Sequence, residues 1–266
     1  MQFTASTTLR RALTAVVCLL IVKVTVAVML GYRNYFPPNF QSDFLQGRDG
    51  YFFGAYQWAF YPHIASGPAA LFLGMLLISE RFRLRYPTWH RRLGRVHVLN
   101  VLFVVSPSGL WMAYDTSTGT IAAISFAILA VATATCSALG WRAAVRRQFA
   151  IHRRWMTRSF VLLCSAVVIR IFGGLGTVLE VRSLWFDPLA SWASWLVPLM
   201  LLELSRLKLW RTVWHSTVSN RSVFRFRQSK SERGEFLRAC WHLEIERSHL
   251  QERLVHRRCE PVCSSG

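Results

Sequence analysis

Between residues 12 and 205 the chain returns six times to a stretch of about twenty residues that is nearly free of charge. The stretches are 12–31, 59–79, 96–114, 120–141, 159–179 and 188–205. Runs of this length match the thickness of a bilayer's hydrocarbon core. In hydrocarbon every backbone N–H and C=O must be paired inside the protein, so a spanning segment is either a helix or a strand of a closed barrel. A barrel needs short strands of alternating polarity, and these runs are continuous. The expected fold is therefore all-α, a polytopic transmembrane helical bundle of about six spans. The expected division is a membrane domain over 1–209 and a basic tail over 210–266.

Composition supports the same solvent. Apolar residues make up 53% and charged residues 17%, yet the formal net charge is +19. A basic chain suits either nucleic acid or a membrane protein with cationic connections. The long uncharged runs select the membrane, and no nucleic-acid partner is expected. The first run follows Arg10 and Arg11, a pattern shared with secretory signal peptides. Its length and the lack of a small-x-small cleavage site favour an uncleaved anchor.

The connections set the expected orientation. The second connection carries Arg81, Arg83, Arg85, Arg91, Arg92 and Arg95, and the fourth carries Arg142, Arg146, Arg147, Arg153, Arg154 and Arg158. The tail is basic throughout. The first, third and fifth connections are near neutral. By the positive-inside rule both termini face the cytoplasm, and the expected location is a bacterial plasma membrane. The first connection is also aromatic, from Tyr32 through Tyr35, Phe36, Phe40 and Phe44 to Tyr51, Phe52, Phe53, Tyr56 and Trp58. Two readings fit it, an interfacial belt with a surface-lying segment or a lid over a ligand.

Ionisable side chains at bilayer depth cost about 2.5–3.5 kcal/mol on insertion scales, so they point to function or to structural pairing. Lys23 and Arg170 sit near the middle of their runs with no acidic residue at matching depth. They are candidates to face the carboxylate or phosphate of an anionic small molecule or lipid. The bland alternatives are snorkelling for Lys23 and bonds to carbonyls for Arg170. Glu203 lies near the cytoplasmic end of the sixth run. His90, His97 and His152 gather toward the cytoplasmic ends, His90 and His97 on one face at a spacing of seven. Paired imidazoles on facing helices can hold haem b. His63 sits in the outer part of the second run, with Met112 as its nearest soft ligand. No complete metal site is expected. Cys18, Cys136 and Cys164 read as small core hydrophobes, and no disulfide framework is evident. Serine-triad, phosphate-loop and zinc-protease patterns are absent from the sequence, and no internal repeat suggests a transporter built on inverted halves.

Three motifs stand in order along the middle of the chain. His63-Ile64-Ala65-Ser66-Gly67 opens the second run. His90-Arg91-Arg92-Leu93-Gly94-Arg95 precedes the third, and His152-Arg153-Arg154-Trp155-Met156-Thr157-Arg158-Ser159 precedes the fifth. With Arg170 following, this stretch of roughly residues 60–175 resembles the bacterial family catalogued as domain of unknown function 2306, predicted membrane proteins. Where that family usually has Tyr two residues after the motif arginine, this chain has His97. The resemblance implies a multispan membrane protein and no settled activity. Physically, Arg91, Gly94, Arg95, Arg153, Trp155 and Arg158 form a cytoplasmic-face set. Gly94 is expected to allow close approach or a turn, Trp155 and Met156 to pack at the interface, and Arg158 to meet lipid phosphates. The sharper reading is an anion or cofactor site between the two His-Arg motifs.

In the tail His242, His249 and His256 repeat every seven residues beside a stripe of Leu243, Leu250 and Leu254. This suits a solvated or membrane-lying helix. His256, Cys259 and Cys263 are spaced loosely like metal ligands, one short of the four a zinc site wants. Three functions remain open from sequence: a haem-bearing redox protein, a non-enzymatic binder or carrier of an anion, and an accessory subunit.

Overall fold

A computed structural model describes residues 2–219 apart from 43, 117 and 181–182, with side chains described over 12–207. The tail histidines and cysteines lie outside the described residues. Contacts divide the chain into one unit over Met1–Leu204 and another over Ser205–Gly266. Every regular element among the described residues is helical. Six helices are long and apolar enough to cross a membrane, Ala12–Asn34, Asp49–Ile78, Pro87–Tyr114, Thr120–Val145, Phe149–Val178 and Phe186–Leu207. They are called spans one to six below. Spans two, three and five begin well before their apolar runs. Amphipathic or aromatic segments continue those helices past the hydrocarbon, and hydropathy alone does not register them.

Two spans are widened by π-turns. In span three the turn Val101–Val105 stands directly before Pro107. Proline lacks an N–H and crowds the preceding turn, and a locally wider helix accommodates it. The Ser108 hydroxyl then donates to the carbonyls of Val104 and Val105. In span two the turn Phe52–Tyr56 contains Gly54 outside helical geometry, and Pro62 and Pro68 follow.

Small hydroxyl side chains are buried among the apolar ones, while many large apolar side chains are exposed, unlike the surface of a water-soluble domain. Ser125, Ser137, Ser159, Ser191 and Ser194 are buried, whereas Leu19, Phe103, Val131 and Leu201 are exposed. Span four presents one face of Ala122, Ser125, Thr133, Cys136, Ser137, Gly140 and Ala143. Small residues at this spacing let spans three and five approach closely, and the Ser137 and Ser159 hydroxyls meet at 2.7 Å. Span six docks on spans four and five through tryptophans. The Trp195 indole donates to Ser125 Oγ at 3.0 Å and packs with Cys136 and Leu162. Span one packs against span two and the second half of span five, adding Ile21 to a core of Ala70, Leu71, Val101, Val105, Leu163 and Val167.

The arginine-rich connections gather at one end of this unit and the aromatic connection at the other. The aromatic connection folds into a cap with its own core of Leu45, Phe52, Tyr56 and Phe60. Arg48 is buried beneath it. Its guanidinium donates to the Phe44 carbonyl and the Tyr56 hydroxyl at 2.8 and 2.7 Å and reaches the Asp115 carbonyl at 3.4 Å. The cap is thereby tied to the connection between spans three and four. Met112 packs against this cap.

Candidate functional site

Two groups of ionisable side chains stand inside the membrane domain, one toward each end. The first is built around Arg170. Span five breaks its helix at Cys164 and resumes as Ser165–Val178. Side chains of a helix lean toward its N-terminus, and Arg170 obeys this: Nη1 donates to the Ala166 carbonyl at 2.7 Å. The guanidinium therefore points toward the membrane interior rather than up toward the near aromatic end. It lies within electrostatic reach of Tyr32, Tyr35 and His63. No carboxylate pairs with it among the described residues.

Its neighbours are held in place by the helices that carry them. Tyr32 ends span one and donates its hydroxyl to the Ile64 carbonyl of span two at 2.7 Å. His63 Nδ1 meets Ser108 Oγ of span three at 3.0 Å, and its ring fits because Gly109 leaves room for Cε1. Tyr35 lies 5.8 Å from the Tyr32 ring and accepts the Tyr61 hydroxyl on its carbonyl at 3.1 Å. Spans one and two and the first connection thus bring phenols and an imidazole within electrostatic reach of one guanidinium of span five. Such a set can bind an oxyanion by charge-assisted hydrogen bonds.

Lys23 does not join this group. It lies about 13 Å inward of Tyr32 along span one by helical rise, is exposed, and has no hydrogen-bond or ion-pair partner among the described residues. From sequence both Lys23 and Arg170 are candidates to face an anion, and Lys23 stands apart from the group around Arg170. Span one turns its Ile21 and Thr25 inward and leaves Lys23 on the other side.

The second group stands at the arginine-rich end. His90 and His97 share the helix Pro87–Asn100, as their spacing requires. His152 lies close enough to His90 to interact with it electrostatically. His152 Nδ1 is 2.9 Å from the Gly140 carbonyl oxygen, which fixes Nδ1 as donor and frees Nε2. His97 is deeper, 2% exposed, with its ring against Gly74. The Nδ1 atoms of both His90 and His97 are buried without a hydrogen-bond partner. Among the described residues no three His, Cys, Asp or Glu side chains are grouped to hold a metal ion.

The cytoplasmic-face set divides. Arg91, Arg95 and Arg153 are exposed as expected of headgroup-facing residues. Arg158 is not free for lipid phosphate. It makes a two-bond ion pair with Glu203 of span six, 2.8 and 3.0 Å, and stacks over Trp155 with its carbon 4.8 Å from the ring centre. Gly94 sits within a helix with nothing near the place of a Cβ, so it provides neither close approach nor a turn. Gly74 and Gly140 do so instead, against Phe160 and Met156. Sequence reasoning missed Ser108, Tyr32 and the Glu203 partner. The spacing of small residues on span four was a readable signal for packing, but nothing in the sequence pairs residues from distant spans.

With this geometry in view, a family model described as "Predicted membrane protein (DUF2306)" matches residues 60–205. The chain belongs to that family. No curated protein and no solved structure matches it. The DUF2306 region runs beyond the three motifs to take in span six, so it contains both halves of the Arg158–Glu203 pair. It also contains His63, Ser108, Arg170, His90, His97 and His152. Span one lies before it, so Lys23 and the Tyr32 contact to Ile64 are additions to the DUF2306 region.

Proposed function

We propose that this DUF2306 protein is a non-enzymatic binder or carrier of an anionic small molecule or lipid, with Arg170 receiving the anion. The observation that carries this reading is an exposed guanidinium in the second half of span five, bonded only to the Ala166 carbonyl of its own helix and with no acidic partner among the described residues. A lone cation at that depth costs several kcal/mol, and a bound anion offsets the cost. Tyr32, Tyr35 and His63 supply further polar groups at the same place. The chain purified in a neutral detergent is expected to retain an anionic compound in native mass spectra. Arg170→Gln is expected to lose it at unchanged yield. Identical spectra from the two proteins count against the reading.

A second reading is that His90 and His152 hold haem b between spans three and five near the arginine-rich end. The bond between His152 and the Gly140 carbonyl supports it, because metal-binding imidazoles are commonly oriented by their other nitrogen. The absorption spectrum of the same preparation, grown with ample haem, separates the two readings. A Soret band lost in His90→Ala or His152→Ala supports haem, and a colourless protein ends that idea. In either case the arginine-rich end is proposed to face the cytoplasm of a bacterial cell, with exposed Arg91, Arg95 and Arg153 at anionic headgroups.

A further inference from the structure

Lys23 is the middle residue of span one, which runs from Ala12 to Asn34. By helical rise it lies roughly 16 Å along the axis from either end. Half of a hydrocarbon core is about 15 Å thick, and the four-carbon stem of a lysine carries its ammonium only about 6 Å from Cα. Snorkelling therefore brings this charge to neither surface. Lys23 is exposed and has no hydrogen-bond or ion-pair partner among the described residues.

The residues around it on the helix are apolar and equally outward. Val16, Leu19, Leu20, Val26, Ala27 and Leu30 stand three, four or seven positions from Lys23, and all are exposed. This is the spacing with which one helix packs along another. The bundle already uses the opposite face: Ile21 and Thr25 are buried, and the Thr25 hydroxyl donates to the Ile21 carbonyl at 2.7 Å.

The chain offers no counter-charge for this seam among the described residues. Asp49 and Asp187 stand at the starts of their spans, and Glu80, Asp115 and Glu180 lie in connections. Glu203 is bonded to Arg158. A second copy thus has no free carboxylate to set at mid-depth. A two-fold contact along the seam would bring lysine against lysine.

We infer that the outer face of span one is a docking surface for a transmembrane helix of a different protein, one carrying an aspartate or glutamate near its own midpoint. The carboxylate pairs with Lys23, and the apolar residues above and below pack along the partner helix. Ala27, one turn from Lys23, lets the partner backbone come close. Charge complementarity selects the partner, because a cation alone in hydrocarbon is costly and a facing carboxylate relieves that cost. Span one precedes the residues 60–205 that match the family model, so the docking face is an addition to the DUF2306 region.

The test uses the full chain, with a donor fluorescent protein fused before Met1, in phosphatidylcholine vesicles. The probe is an acceptor-labelled membrane-spanning peptide of leucines with one central aspartate, and its control has leucine in that place. Energy transfer is expected to saturate with the aspartate peptide and to stay at the level of random encounter with the leucine peptide. Lys23→Leu puts an apolar side chain on an exposed face in hydrocarbon, so the fold is kept. It is expected to weaken the association by about tenfold, and Lys23→Arg to retain it. Equal transfer from the two peptides overturns the proposal, as does no transfer from either. Undiminished transfer to Lys23→Leu also overturns it and assigns the carboxylate to another cation. Vesicles holding donor- and acceptor-tagged copies of the chain test the other occupant. Transfer between copies that is lost in Lys23→Leu gives the face to a second copy and overturns the proposal of a different partner.

Discussion

At Gly74 of span two, a side chain from span five and one from span three come to the same spot. A Cβ there would stand 2.6 Å from Phe160 Cδ2 and 3.4 Å from His97 Cε1. An aromatic ring cannot yield as a flexible chain end can, so Gly74→Ala is expected to destabilise the protein by about 1–3 kcal/mol. Gly94→Ala is the contrasting case: it lies inside a helix with open space and is expected to be neutral or stabilising, by up to about 1 kcal/mol. Thermal unfolding of both variants in one detergent checks the pair, and equal losses would refute the assignment of close approach. In the sequence Gly94 was the more conspicuous glycine because it sits in a motif. Gly74 owes its role to rings that arrive from residues distant in the chain, which no local pattern records.

Spans five and six are joined by two kinds of contact. Trp195 supplies packed area against Leu162, while Arg158 and Glu203 supply a two-bond ion pair. The pair is partly exposed in a setting of low dielectric, where both charges are costly when single. Glu203→Gln is expected to cost about 1.5–3 kcal/mol, the range for hydrogen bonds to a charged group. Removing both charges with Arg158→Met and Glu203→Gln is expected to cost less than the two single changes added together. A strictly additive cycle in thermal or denaturant unfolding would show that the ion pair does not couple the spans. Each charge was visible in the sequence at the arginine-rich end of its span. Their pairing was not, because 45 residues separate them.

For the whole molecule, the alternation of connections makes an orientation prediction. Alkaline phosphatase fused after Asp115 is expected to be active, exported with the aromatic end. The same enzyme fused after Arg147 is expected to be inactive and retained with the arginine-rich end. Reversed activities would turn the protein over, and equal activities would break the count of six crossings. Large leucine, valine and phenylalanine side chains are exposed on this unit, and buried serines and threonines share its interior with apolar side chains. A lipid solvent permits that arrangement, since association between helices then rests on close packing and hydrogen bonds rather than on hiding apolar surface.

Length and polarity of the runs determined the solvent, the helical class and the number of crossings. These follow from unpaired backbone groups being too costly in hydrocarbon, a constraint that acts on each segment by itself. Family membership was likewise legible, because its motifs are contiguous. Only the tertiary structure decided that Arg170 stands with Tyr32, Tyr35 and His63 and not with Lys23, that Arg158 is held by Glu203, and that the aromatic connection closes into a cap over Arg48. Those outcomes depend on how helices rotate and cross. Rotation is set by which small residues admit which large ones, a property of pairs of spans that a linear pattern of hydropathy and charge does not contain.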